Sequence, residues 1–349
     1  MRKRNFWVIL TGVVIGIAAL ALTALGNPGN MGFCIACFIR DTSGALKLHS
    51  AEVVQYVRPE IVGMIVGSMI IAMLTREFKP RGGSSPMTRF VIAVVVMVGA
   101  LMFLGCPLRM MLRVGGGDLN ALIGLVGFIA GIFVGTLWMR GGFTLKRAYA
   151  QSMTEGLALP IITAVLMALS VLLPSLFAAS ESGPGSMHAP TLIALGVGLV
   201  VGGLCQRSRF CTVAASRDAM LFQDFSMLWG FVAVIVTTIV GNLILGKLHF
   251  SFMDQPVAHT DGLWNFLGMA LVGWGSVLLG GCPLRQVILA GEGNSDAAIT
   301  VIGFVVGAAI CHNFGLASSA KGPTANGMIA VIAGFVILAL IGVFNREKA

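Results

Sequence analysis

Seven cysteines punctuate the chain: Cys34, Cys37, Cys106, Cys205, Cys211, Cys282 and Cys311. Four of them stand in motifs that occur twice. Phe33-Cys34 followed by Arg40-Asp41 recurs as Phe210-Cys211 followed by Arg217-Asp218, and Gly105-Cys106-Pro107-Leu108-Arg109 recurs unchanged as Gly281-Cys282-Pro283-Leu284-Arg285. The offsets, 177 and 176 residues, nearly agree. A thiol is small, polarisable and a weak donor and acceptor. It suits a soft sulfur or selenium atom that has to bind and then leave. Each motif also carries an arginine (Arg40, Arg109, Arg217, Arg285), and guanidinium is the natural partner of an oxyanion. Cys34, Cys106, Cys211 and Cys282 with Arg109 and Arg285 therefore read as a substrate path. Arg40 and Arg217 read equally as path residues or as anchors beside Asp41 and Asp218. Cys205 and Cys311 have no counterpart and read as packing residues.

Cys34-x-x-Cys37 admits other chemistry: a redox pair, a disulfide, or half of a zinc site. Zinc needs two further ligands, His49 alone is near in sequence, and Ala214 replaces Cys37 in the second copy. Zinc is thus disfavoured, while the redox pair and the disulfide stay open. Gly241 to Leu248 imitates a phosphate-binding loop but lacks the closing Ser or Thr. Of the five histidines only His312 falls inside an expected helix, so paired haem ligation has no support; His312-Asn313 reads as cavity lining or as packing. No metal, cofactor or nucleotide is expected.

The elements that position these residues follow from hydropathy. The chain is 57% hydrophobic and 11% charged, with mean hydropathy +0.93. A soluble domain carries roughly 25% charged residues, so most of this chain has the bilayer as its solvent. The apolar runs are continuous rather than alternating, which selects helices over a barrel. Ten segments are expected to span: 6–26, 57–75, 90–104, 119–139, 156–178, 191–204, 227–246, 263–280, 299–316 and 327–344. The net charge of +9 does not point to nucleic acid, because the charges fall between apolar runs and no aromatics interleave with them. Starting Arg2-Lys3-Arg4 in the cytoplasm and alternating sides places 16 of the 23 Lys and Arg inside and 7 outside, counting Lys348 with the inner set. Both termini are then cytoplasmic, and the first apolar run is a retained helix rather than a signal peptide. Glycines at four-residue spacing, such as Gly127/Gly131/Gly135, read as close helix packing.

The repeat divides the chain into halves at about 1–178 and 179–349, each with five spanning helices. An odd number inverts the second half relative to the first, an arrangement whose sites lie at the repeat interface on discontinuous helices. Segment 90–104 is 15 residues, roughly 22 Å at 1.5 Å per residue, short of a ~30 Å core. Pro107 and Pro283 then interrupt the helix after Cys106 and Cys282. Phe33 to Ile39 and its counterpart Phe210 to Ala215 are too short to span and read as re-entrant turns. The fold expected is an all-α integral membrane protein of about ten spanning helices in two inverted repeats with short re-entrant or broken helices.

On the doubled cysteine motifs, the two Gly-Cys-Pro-Leu-Arg tracts and the stretch Gly29 to Asp41 (GNMGFCIACFIRD), the chain resembles the YeeE/YedE family of sulfur-transport membrane proteins along nearly its whole length. The stretch looks most like the YedE branch, associated with selenium metabolism. The resemblance implies import of thiosulfate across the bacterial inner membrane, passed along Cys34, Cys106 and Cys282 through weak S–H···S contacts, with Cys211 as symmetry mate. It also implies a TusA-type sulfurtransferase as cytosolic partner. Cys37 and the doubled Gly-Cys-Pro-Leu-Arg form depart from the thiosulfate branch. The function read from the sequence is thus an inner-membrane transporter, not an enzyme, for a small sulfur or selenium solute, in contact with lipid. The rivals are a membrane thiol-disulfide oxidoreductase using Cys34 and Cys37, and a membrane anchor for a cytosolic sulfurtransferase.

Overall fold

The computed structural model describes residues 2–347, so Lys348 lies outside the described residues. The first half holds α1 (Arg2–Ala24), α2 (Ile35–Ala45), α3 (Pro59–Leu74), α4 (Pro86–Phe103), α5 (Pro107–Gly115), α6 (Leu119–Arg140) and α7 (Met153–Leu172). The second holds α8 (Thr191–Ser208), α9 (Thr212–Phe222), α10 (Ser226–Ile244), α11 (Gly262–Leu278), α12 (Pro283–Gly291), α13 (Ser295–Asn313) and α14 (Ala325–Phe344). Among the described residues, nine helical stretches are long and apolar enough to cross a membrane, with the shorter apolar Pro59–Leu74 beside them. The chain is an all-α, multi-pass integral membrane protein. Two-residue strands Arg81–Gly82 and Tyr149–Ala150 add one small antiparallel ribbon.

Side chains sort as lipid solvation requires. Large apolar residues such as Leu74, Leu172, Leu192, Ile244 and Phe344 face outward, while Arg58, Arg109, Arg113, Asp41 and Glu60 are fully buried. Buried charge of this kind is expensive and is found facing a bundle interior. Each of the ten expected segments corresponds to a helix. Some limits differ, for local reasons. Asn294 caps α13 through its side chain on the Ala297 amide, so α13 starts four residues earlier than expected. Pro86 sits at the first position of α4, making that helix 18 residues rather than 15, about 27 Å. The stretches expected as re-entrant turns are 11-residue helices, α2 and α9.

Element order and length recur between the halves, including the short pairs α2/α9 of 11 residues and α5/α12 of 9. Packing follows the same exchange. Helix α3 lies on α8 as α1 lies on α10; α6 lies on α11 as α4 lies on α13; α4 and α11 pack on each other at the centre. Small residues permit these crossings. A Cβ on Gly131 would stand 2.0 Å from the Ala270 carbonyl oxygen, and one on Gly67 would stand 2.2 Å from that of Leu199. Loops gather at two ends. One holds both termini, with Arg4 on Asp224, Glu347 N–H on Gly142 and Arg81 N–H on Gly293. The other joins Ala178 to Ala45 and His249 to Gly116.

Two helices break inside the bundle. After α4, Leu104 turns left-handed (φ 61°), and Pro107 opens α5; after α11, Gly280 takes the same turn (φ 81°), and Pro283 opens α12. A left-handed residue costs ~1–2 kcal/mol unless it is glycine. The first break therefore carries strain that the second avoids. Gly131→Leu is expected to destabilise the protein in detergent by roughly 2–3 kcal/mol through overpacking at the α6–α11 crossing. Gly196→Ala, where an added Cβ meets nothing within 4 Å, should melt as the unchanged protein does; thermal unfolding of both checks it.

Candidate functional site: two cysteine pairs at helix starts

Each of the four matched cysteines occupies the position just before a short helix, with extended backbone: Cys34 before α2, Cys106 before α5, Cys211 before α9 and Cys282 before α12. The first turn of a helix has amides without intrahelical partners, and its end carries partial positive charge. Here those amides meet sulfur. The Ile35 N–H donates to the Cys106 Sγ (3.3 Å) and the Cys37 N–H to the Cys34 Sγ (3.2 Å), so Cys34 and Cys106 share the start of α2. In the second half, Cys211 and Cys282 Sγ atoms are 3.9 Å apart. Folding thus joins the matched cysteines two by two, each pair with two helix starts converging on it. Cys106, Cys282 and Cys34 are at most 1% exposed, and all seven cysteines are free thiols. Helix α4 starts at the end with the termini and α11 at the opposite end. The two breaks, each after 17 or 18 residues, therefore lie toward opposite ends. The arrangement offers an anion two stations, each with a soft sulfur surface and oriented dipoles.

The four arginines are not equivalent. Arg40 is bound by Asp41 (2.7 Å), which also holds Arg58 (2.7 Å), and Arg217 is bound by Asp218 (2.8 Å). Each is thus paired with the aspartate next to it in its own motif. Arg109, fully buried, donates to the carbonyls of Leu104, Asn30 (3.2 Å), Pro256 (3.2 Å) and Val257 (3.2 Å), and reaches the Cys37 Sγ at 3.6 Å. Arg285 pairs with Glu292 (2.9 Å).

The second half of this site matches a known family. Residues 207–344 match the family model described as sulphur transport. Over this stretch, about two fifths of its length, the chain is similar to the sulphur-transport family. Over 112 residues, 32% of the chain, it is 29% identical to the thiosulfate transporter TsuA of Spirochaeta thermophila, and it spans about a third (33%) of that protein's length. The matched family region contains Cys211, Cys282, Arg217 and Arg285. The first copies of the motifs precede it.

Residues that motif reading overlooks surround the two breaks. Arg113 is bound by Asp118 (2.6 Å) and donates to the Phe103 carbonyl (2.7 Å), and His259 Nε2 donates to the Met102 carbonyl (2.8 Å). Together with Arg109 they satisfy the last carbonyls of α4. Burial lowers the pKa of the His259 imidazole, against the opposing pull of its hydrogen bond to Met102. Arg89 (3.3 Å) and Gln286 (3.1 Å) do the same for Leu279 after α11. Comparing the copies for their differences would have singled out Glu292, because it follows Arg285 by two helical turns where the first copy has Gly116. His49 lies against the Arg40 carbonyl (3.1 Å) and stacks on His312 (4.6 Å between centroids). Among the described residues, no three His, Cys, Asp or Glu side chains are placed to hold a metal. A variant keeping only Cys211 and Cys282 is expected to cross-link readily with a short bifunctional thiol reagent, read as a mass increase with loss of both free thiols. Adding Cys211→Ser should remove the cross-link.

Proposed function

We propose that this protein imports a small sulfur or selenium oxyanion, thiosulfate-like in chemistry, across the bacterial inner membrane, through a path on which Cys34, Cys106, Cys211 and Cys282 make transient soft contacts. The observation that carries the reading is the pairing of matched cysteines at four helix starts. Dipoles attract the anion and thiols contact its soft atom, and neither grips hard enough to stop transit. The halves act as inverted repeats, 1–178 and 179–349, with both termini in the cytoplasm. The exchange symmetry of the helix packing and the excess of Lys and Arg on the loops at that end support this orientation. The thiosulfate transporter of S. thermophila supports the solute class. The departures at Cys37 and in the doubled Gly-Cys-Pro-Leu-Arg tract favour extending that class to selenium species. A TusA-type sulfurtransferase is the proposed cytosolic acceptor.

One observation keeps the thiol oxidoreductase alive: the Cys37 amide rests on the Cys34 sulfur, as in a Cys-x-x-Cys turn. The readings separate in proteoliposomes. A transporter takes up labelled thiosulfate or selenite-type anions, loses at least about 90% of uptake in Cys106→Ala or Cys282→Ala, and retains most of it in Cys37→Ser. Oxidoreductase action predicts no accumulation and complete dependence on Cys37.

A further inference from the structure

The two copies of the site share their backbone and their cysteines, yet they differ in charge. Arg109 is a buried cation held by four carbonyl oxygens, and among the described residues no carboxylate reaches it. The neighbouring Arg113 is neutralised by Asp118 and the nearby Arg40 by Asp41. At the matched position in the second half, Arg285 is closed by both carboxylate oxygens of Glu292 (2.9 and 3.5 Å), which Arg209 also approaches (3.5 Å). The residue matching Glu292 is Gly116, packed so tightly that a Cβ would lie 2.3 Å from the Asn30 side chain. No carboxylate can enter there without rearrangement.

Polarity differs in the same sense. Around the second break, Thr212 Oγ1, Ser276 Oγ and Gln286 Oε1 are buried and without a protein partner. Their counterparts around the first break are Ile35, Ala100 and Met110, all apolar. An unpartnered buried polar atom calls for water or a ligand to satisfy it. A cation with no carboxylate partner holds an anion strongly; a cation already paired with a carboxylate, among groups that water can satisfy, holds it weakly.

Taking the transport reading as its basis, we propose that the Cys34/Cys106 pair is a capture station and the Cys211/Cys282 pair a release station for the oxyanion, and that Glu292 sets the difference by occupying Arg285. The unequal neutralisation of two otherwise matched arginines gives the path its grip at entry and its ease of exit. Glu292 is a positioning residue, acting through Arg285 rather than by touching the solute.

The test measures thiosulfate binding and counterflow with full-length protein in proteoliposomes. Glu292→Gln is expected to lower the thiosulfate Kd about tenfold, the size of one charge-assisted hydrogen bond, and to slow counterflow. Adding Arg285→Gln should return the Kd to the wild-type range. At the other station, Cys37→Asp would place a carboxylate beside Arg109 and should raise the Kd about tenfold relative to Cys37→Asn, which reads the same asymmetry if Glu292→Gln does not fold. A wild type that binds and exchanges thiosulfate, with folded Glu292→Gln and Cys37→Asp unchanged in both readouts, overturns the asymmetry and leaves transport standing. A wild type that neither binds nor exchanges thiosulfate or a selenium oxyanion overturns both.

Discussion

A helix that stops inside a bilayer leaves its last carbonyls, and the first amides of the next helix, with no water to bond them, at several kcal/mol per group. Such breaks survive only where the protein itself supplies the partners, and much of this molecule is arranged to do so. The carbonyl end of α4 is met by His259, Arg113 and Arg109, reaching Met102, Phe103 and Leu104 in turn. The carbonyl end of α11 is met by Arg89 and Gln286. These donors explain why cations lie fully buried in a chain with only 11% charged residues. They compensate the negative ends of two half-helices.

The amide side of each break is treated differently. Proline at the first position of α5 and of α12 removes one orphan donor. Amides at the start of α2 turn to thiols, which accept hydrogen bonds weakly. A weakly held donor can be given over to a passing anion at little cost. A carboxylate or carbonyl in the same place would compete with it. On the proposed transport reading, Cys34 and Cys106 accept these amides weakly when the path is empty and make soft contacts when it is filled.

The breaks sit in close packing. Helices α4 and α11 cross at the centre, and glycines let α6 and α11, and α3 and α8, approach to backbone contact. The short helices pack against the long ones: α2 on α13, α5 on α10, α9 on α10 and α12 on α3. Arg40-Asp41-Arg58 fastens α2 to the start of α3 and, through Arg58, to the carbonyls of Pro184 and Met187.

The sequence by itself determined the solvent, the helices, the twofold motif and the identity of the breaks. Continuous apolar runs can satisfy their backbone only as helices, and proline after cysteine forces an interruption whatever surrounds it. It also marked Cys106 and Cys282 as residues at breaks. Tertiary structure decided which cysteines meet, because Cys34 and Cys106 are 72 positions apart in the chain and only the docking of α2 against the first break brings their sulfurs to one helix start. Glu292, seven residues after Arg285 where the first copy has Gly116, was legible in the sequence as a difference between the copies. What surrounds Arg109 was not: Arg109 and Arg285 stand in identical pentapeptides, and only the fold brings the carbonyls of residues 30, 256 and 257 to Arg109. Charge in a low-dielectric interior is set by neighbours in space, and residues that far apart in the chain leave no mark in the motif.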